Sequence, residues 1–483
     1  MSGTLYFLGS IALLLVGYFL YGSFIEKVFG ADYSRPTPVQ NNKDGVDFIE
    51  MPRYKIFLIQ FLNIAGLGPI IGTLLGALYG PVAMLWVVFG CIFAGAVHDY
   101  CAAMISLRNN GASYPDLVNM AFGKYARHAM ECFSVLFMVL VGAVFVLGPA
   151  ALLASMTPMS LLFWSCIIFA YYFLATILPI DVVIGRIYPY FGVLLIFMTF
   201  GLAGALLLGD RPILPNTDFF ANYNPKDLPI WPLIFVTIAC SAISGFHATQ
   251  SPLMTRCVAS EKDCRFLFYG PMIAEGIIGL IWVTLGLSFY DSPQALQEVI
   301  TQGTPTLAVK QISLGLLGSV GGFIAILGVV VLPISTGDTA FRSARLIVAD
   351  AFHLDQKSLA KRLLVAIPLF AVGIVLTLVD FDVIWRYFGW ANQALSCVTL
   401  WAVSIYLAQR GRLYIVTVVP ALFMTCVCTT YLCNAKIGFG LGMELSTYIG
   451  LAFDFLCLLV FCRRLPAWKQ QFALAGKSDK TWQ

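Results

Sequence analysis

The residues of this chain best able to do chemistry are few, and they sit inside long apolar runs. An ionisable group in such a run costs roughly 3 kcal/mol or more to insert into a bilayer, so each is a candidate for holding or moving charge. His98 and Asp99 are adjacent, which suits either a proton relay or a structural pair near the membrane interface. His247 reads as a proton carrier or as a hydrogen-bonded interior histidine, and Glu275 as a second, isolated acid. Asp454 reads as a packing residue or helix contact. In the run from Leu332 to Arg342, Ser335 and Thr336 offer hydroxyl oxygens, Leu332 a carbonyl one turn earlier, and Asp338 a nearby negative charge. A hard cation such as Na⁺ needs oxygens of this kind, and together with carbonyls from the interrupted span containing Asn63 to Gly72 they could bind it. The same run also reads as a helix C-terminus whose Ser and Thr side chains bond locally. Asn392 and Gln393 either face a cavity or bridge helices.

Two further segments offer their backbone. Between Asn63 and Gly72, Gly66 and Gly68 flank Leu67 and precede Pro69. Proline removes a backbone donor and disfavours helix in the residue before it, and the glycines make a non-helical path cheap. Gly68, Gly72, Gly76 and Gly80 also form a four-residue repeat, which suits close helix packing as well. Between Ala239 and Pro252, the residues Ser241, Ser244, Gly245, His247, Thr249 and Gln250 interrupt a second apolar run. Broken backbone at membrane depth survives only where it is buried in protein or lines a wet cavity. A solute site is therefore expected at Ala65, Gly66, Gly68, Ser241, Ser244, Gly245 and His247. Amides at half-helix N-termini would hold a carboxylate there.

The elements that must position these residues are transmembrane helices. Of 483 residues, 59% are apolar and 11% charged, against roughly a quarter charged in an average soluble domain. Apolar segments long enough to cross a hydrocarbon layer recur throughout. They fall near residues 4–24, 54–79, 81–106, 128–153, 159–179, 187–209, 230–256, 266–289, 311–336, 363–379, 384–408, 413–432 and 446–462, about 13 spans. With that count, all of the 29 Lys and Arg residues except Arg211, Lys226, Lys310, Arg386 and Lys436 fall on one side. Cytoplasmic loops retain basic residues, so the N-terminus is expected outside and the C-terminus in the cytoplasm.

The two interrupted spans are five apart in helix order and run in opposite directions, the pattern of inverted five-helix repeats. The chain is thus expected to divide into an extra helix (1–25), a cytoplasmic connection (26–53), repeats at 54–209 and 230–408, two C-terminal helices (412–463) and a cytoplasmic tail (464–483). Cys91, Cys101, Cys132, Cys166, Cys240, Cys397, Cys426, Cys428 and Cys457 lie in apolar runs without a CxxC pair, and read as packing residues rather than a redox or metal centre. No phosphate-binding GxxxxGK[ST] loop occurs, so uphill movement would draw on an ion gradient. No basic patch interleaved with aromatics suggests nucleic acid.

The stretches Ile64–Pro69, Phe93–Asp99, Ser244–His247, Thr336–Arg345 and Trp385–Gln393 resemble the carbon starvation protein A (CstA) family, and its shorter branch in particular. The resemblance implies uptake of peptides or pyruvate during nutrient limitation, usually coupled to protons. It also implies membership of the amino acid-polyamine-organocation superfamily and a LeuT-like fold. The expected protein is an all-α polytopic carrier in a bacterial inner membrane. Its partners would be a small solute and the lipid bilayer, with H⁺ or Na⁺ as coupling ion and no other cofactor. A membrane sensor with a carrier's fold and a membrane-embedded enzyme are the rival readings. The enzyme has little to work with, since only His98 and His247 of the four histidines lie inside spans and not at or beyond their ends.

Overall fold

Inside a bilayer a chain must satisfy its own backbone, and in the computed structural model these apolar runs do so as helices. The structure describes all residues except 1, 43–44, 46, 179–183, 216–217, 357 and 479–483. The last residues of the expected tail, and Lys43, Lys357 and Lys480 of the charge count, lie outside the described residues. Among the described residues there is no strand. Among these same described residues ten helices are long and apolar enough to cross a membrane, and a bent pair makes an eleventh.

In chain order the main helices are α1 (Gly3–Phe29), the bent pair α2 (Arg53–Ile64) and α3 (Gly68–Ala77), and α4 (Val82–Arg108). Then come α5 (Lys124–Ala154), the shorter α6 (Leu161–Ile177) and α7 (Ile184–Leu208). The short arms α8 (Ile230–Thr237) and α9 (Gly245–Thr255) precede α10 (Gly270–Phe289) and α11 (Pro293–Ala351). The chain closes with α12 (Leu359–Leu376), α13 (Phe381–Gln409), α14 (Ile415–Asn434) and α15 (Met443–Ser478). The 59-residue α11 is not one rod, because its backbone leaves helical values at Gly303, Thr304 and Gly318. It packs along α5 and α7, while α14 joins α13 to α15.

One expectation is corrected here. The span placed at 311–336 does not end at the Ser335–Thr336 pair, and Leu332–Arg342 is not a helix C-terminus, since α11 continues to Ala351. Its hydroxyls lie along the helix instead of capping it: Ser335 and Thr336 donate to the Leu332 carbonyl at 2.7 and 3.1 Å. The polar residues that imitated a helix end are buried in the bundle.

Glycines decide how closely the two bent elements meet. A Cβ on Gly68 would lie 2.2 Å from the Cys240 Sγ, and one on Gly72 would lie 2.8 Å from the Thr237 carbonyl oxygen. The second contact is with backbone, which has no rotamer by which to retreat. Gly72→Ala should therefore destabilise the protein by ~1–3 kcal/mol through overpacking. Gly204→Ala, whose new methyl meets nothing within 4 Å, should leave the melting temperature in detergent unchanged or slightly higher. Equal melting of the two variants would contradict the close approach.

Candidate solute and coupling site

The first break begins where α2 runs out of helix. Ala65 (φ −76°, ψ 57°) leaves the helical region. The Gly66 amide then turns back to the Ile64 carbonyl at 2.8 Å. Across the break α2 and α3 differ in direction by 53°. The second break covers Ile238 to Ser244, where Ile238 (φ −94°, ψ 66°) ends α8 and the extended Ser244 (φ −141°, ψ 123°) precedes α9. The breaks touch through Gly68 and Cys240. Ala65, Ser241, Ser244 and His247 have no solvent exposure, so a solute reaches them only when this packing opens.

Asn392 and Gln393 of α13 hold the second break in shape. The Asn392 Oδ1 accepts the Ser244 hydroxyl at 3.0 Å and the Phe246 amide at 2.9 Å, and so acts as the cap of α9. Gln393 Nε2 donates to the Ile243 carbonyl at 3.1 Å. One of the half-helix amides expected to meet a carboxylate is thus already engaged. Gly245 sits tightly against α13, where an added Cβ would lie 2.3 Å from the Leu395 Cβ. Ser241 differs: its buried hydroxyl has no hydrogen-bond partner.

On the other side, α11 braces the first break. The Ser335 Oγ lies 2.7 Å from both the Leu62 and the Leu332 carbonyl oxygens, and a Cβ on Gly66 would lie 2.9 Å from the Thr336 Oγ1. Leu332, Ser335 and Thr336 therefore bring three oxygens to the C-terminal end of α2, where Leu62 adds a fourth. These hydroxyls now donate to the carbonyls, and a cation bound among them would replace those bonds. Asp338, expected as a bare charge beside this group, has both oxygens engaged: Tyr171 donates to Oδ2 at 2.8 Å, and the Tyr188 hydroxyl lies 3.0 Å from Oδ1. Tyr188 also lies 2.9 Å from Asn63 Oδ1. Asn63 Nδ2 in turn meets Gln250 Oε1 at 3.4 Å, and Gln250 Nε2 donates to Gln60 Oε1 at 2.8 Å. A buried polar chain thus crosses from α11 through α2 to α9.

The charged residues are gathered more tightly than their spacing implies. Asp99 lies between two imidazoles, with His98 Nδ1 2.8 Å from Oδ1 and His247 Nδ1 2.7 Å from Oδ2. On its far side His247 Nε2 is 3.5 Å from Glu275 Oε2. All four side chains are fully buried. One reading changes accordingly: Glu275 is not isolated, since it shares a buried group with His247, Asp99 and His98. The tyrosines Tyr171 and Tyr188 escaped attention because tyrosine is common in apolar runs. Gln60 and Asn63 carried a usable signal, since amides inside an apolar run need buried partners.

The profile of the carbon starvation protein CstA family matches residues 2–163, 148–313 and 292–431. The chain belongs to that family. A Haemophilus influenzae relative described only as an uncharacterized membrane protein is 43% identical over 64% of this chain and 97% of its own length. The Escherichia coli pyruvate/proton symporter BtsT is 29% identical over 56% of this chain and 47% of its own. The Bacillus subtilis peptide transporter CstA is 25% identical over 88% of this chain and 89% of its own. Among solved structures, MhsT in complex with L-phenylalanine aligns with a TM-score of 0.56 at 14% identity, over 85% of this chain and 99% of that one. A manganese transporter mutant from Eremococcus coleocola aligns with a TM-score of 0.53 at 10% identity, over 89% and 99%. These last two bear on the fold alone, which is that of transporters.

Removing the cap that Asn392 provides tests the geometry of the second break. Asn392→Ala should cost about 1 kcal/mol and speed hydrogen exchange of the Phe246 amide several-fold. Unchanged exchange at that amide would contradict the capping bond.

Proposed function

We propose that this protein is an ion-coupled secondary transporter that takes up a small carboxylate-bearing nutrient, a peptide or pyruvate, by alternating access during nutrient limitation. One observation carries the reading: two broken helices meet at their breaks, fully buried, with hydroxyl, amide and ionisable groups around them. Nothing about packing alone requires broken backbone in a bilayer, whereas a polar solute that must cross one does. Relatives named as a pyruvate/proton symporter and a peptide transporter support the substrate class, since pyruvate and peptides share a carboxylate. They favour a carrier over a membrane-embedded enzyme or a sensor.

The reading includes a topology. Counting α6 and the α8/α9 pair as crossings gives thirteen spans, with α2 through α7 as one repeat and α8 through α13 as its inverted counterpart. Such a 5+5 arrangement is LeuT-like and belongs to the amino acid-polyamine-organocation superfamily. We assign it to the short branch of the CstA family. The protein would lie in the bacterial inner membrane with its N-terminus outside. Ala65, Gly66, Gly68, Ser241, Ser244, Gly245 and His247 would surround the solute, whose carboxylate completes main-chain groups left open by the breaks.

Coupling has two candidate seats. Sodium would sit among Leu332, Ser335, Thr336 and the end of α2, with Asp338 nearby; a proton would sit on His247 or on the His98 and Asp99 pair. Uptake of labelled pyruvate and labelled dialanine into proteoliposomes, under an imposed proton gradient and then a sodium gradient, separates the versions. If sodium drives uptake, replacing both Ser335 and Thr336 by Ala should abolish the sodium stimulation. Sodium dependence that survives the double substitution removes that site. A sensor would bind a probe without accumulating it, and an enzyme would alter it.

A further inference from the structure

The geometry of the acid and histidine cluster restricts where its protons can sit. An ionised carboxylate only accepts hydrogen bonds. Asp99, with an imidazole nitrogen at each oxygen (2.8 and 2.7 Å), therefore draws the Nδ1–H form of both His98 and His247. That leaves the His247 Nε2 either bare or protonated. It lies 3.5 Å from Glu275 Oε2, and neither it nor either Glu275 oxygen has a hydrogen-bond partner in the protein. If Nε2 is bare and Glu275 ionised, two lone pairs face each other in a dry interior and two buried carboxylates go unneutralised. One added proton, on Nε2 or on Oε2, supplies the missing donor between them and neutralises one of the two charges.

The surroundings leave this proton without a substitute. The titratable groups around Glu275 are Asp99 and His98 on α4, His247 on α9, and the thiols of Cys91 on α4 and Cys240 in the second break. Among the described residues no Lys or Arg forms an ion pair with Asp99 or Glu275. From α1 and α3 the neighbours on this side of α10 are Leu14 and Thr73, beside Gly276 and Gly279. The cluster also adjoins the solute site. Gly279 follows Glu275 by one helical turn, and a Cβ there would lie 2.4 Å from the Ser241 Oγ, the hydroxyl in the second break that has no partner.

We propose that Glu275 and His247 share one exchangeable proton, and that this proton must be in place before a carboxylate solute can occupy the breaks. The inference rests on the transport reading above and adds to it a residue, Glu275, and an order of binding. With the proton absent, the solute's charge would join two buried carboxylates, and with it present one of them is neutralised. The proton moves from His247 Nε2 to Glu275 Oε2, or back, without breaking any other bond, and it leaves when the solute does.

The test is the pH dependence of solute affinity and accumulation, with labelled pyruvate and labelled dialanine as probes on the full-length protein in liposomes. In the wild type, affinity should fall about tenfold per pH unit above the titration of the pair, as one linked proton requires. Glu275→Gln, a permanent mimic of the neutral acid, should bind and exchange solute with an affinity that no longer follows pH. It should also lose accumulation driven by the proton gradient. A variant that still accumulates solute along the gradient with wild-type pH dependence overturns the proposal, and so does a folded variant that no longer exchanges solute. Infrared spectra of protein carrying isotope-labelled glutamate supply a readout that needs neither Glu275→Gln nor transport. A buried protonated glutamic acid band that disappears on raising the pH, and that Glu275→Asp shifts out of the labelled set, is expected. Its absence at every pH, in a protein whose solute affinity does not follow pH, overturns the proposal. A band that titrates in a protein moving neither probe would count against the transport reading alone.

Discussion

A backbone that leaves its helix inside a bilayer must find partners for the amides and carbonyls it frees, and this requirement organises the molecule. Both breaks meet it by borrowing from elsewhere in the sequence. At the end of α2 the Leu62 carbonyl receives Ser335 from α11, more than 270 positions away (273 by residue number). At the start of α9 the Phe246 amide is capped by Asn392, and the Ile243 carbonyl by Gln393. The breaks are thus held by helices that are themselves continuous through the same depth. A rearrangement of α11 or α13 against the broken pairs would change which main-chain groups are satisfied, and a solute that supplies the missing partners would bias it.

The same logic extends to charge. Asp338 is held by two tyrosine hydroxyls, and Asp99 by two imidazoles. Each carboxylate is met by tyrosine or histidine side chains, and among the described residues neither forms an ion pair with a lysine or arginine. A permanent cation would lock the charge in a tight pair, whereas donors that can exchange protons leave it adjustable. From the Asp338 group, hydrogen bonds run through Tyr188, Asn63 and Gln250 to Gln60, and Gln250 lies on α9, the helix that carries His247.

Much of this was legible from residues alone. The breaks are legible through Gly66, Gly68 and Pro69, and through the polar run from Ser241 to Gln250, because proline and glycine weaken a helix and polar residues interrupt an apolar span, although the glycine repeat also suited close packing. The association of Ser335 and Thr336 with the first break followed from their oxygen chemistry. What the sequence withheld were consequences of tertiary packing. Nothing in the positions of Asp99, His247 and Glu275 discloses that α4, α9 and α10 bring them to one point, and so Glu275 read as isolated. The continuation of α11 past Thr336 was hidden because hydroxyls that bond back to carbonyls three or four residues earlier look, in sequence, like those that end a helix. Tyr171 and Tyr188 gave no signal, since a tyrosine facing lipid and one facing a buried carboxylate are identical letters.

The central claim is that the two breaks together hold the solute. An experimental structure of the protein in lipid nanodiscs with and without pyruvate tests it most directly. The account predicts added density between Ala65–Gly68 and Ile238–Ser244, with the carboxylate within hydrogen-bond distance of main-chain groups there. Density elsewhere, or helices that run unbroken through both segments, would contradict it.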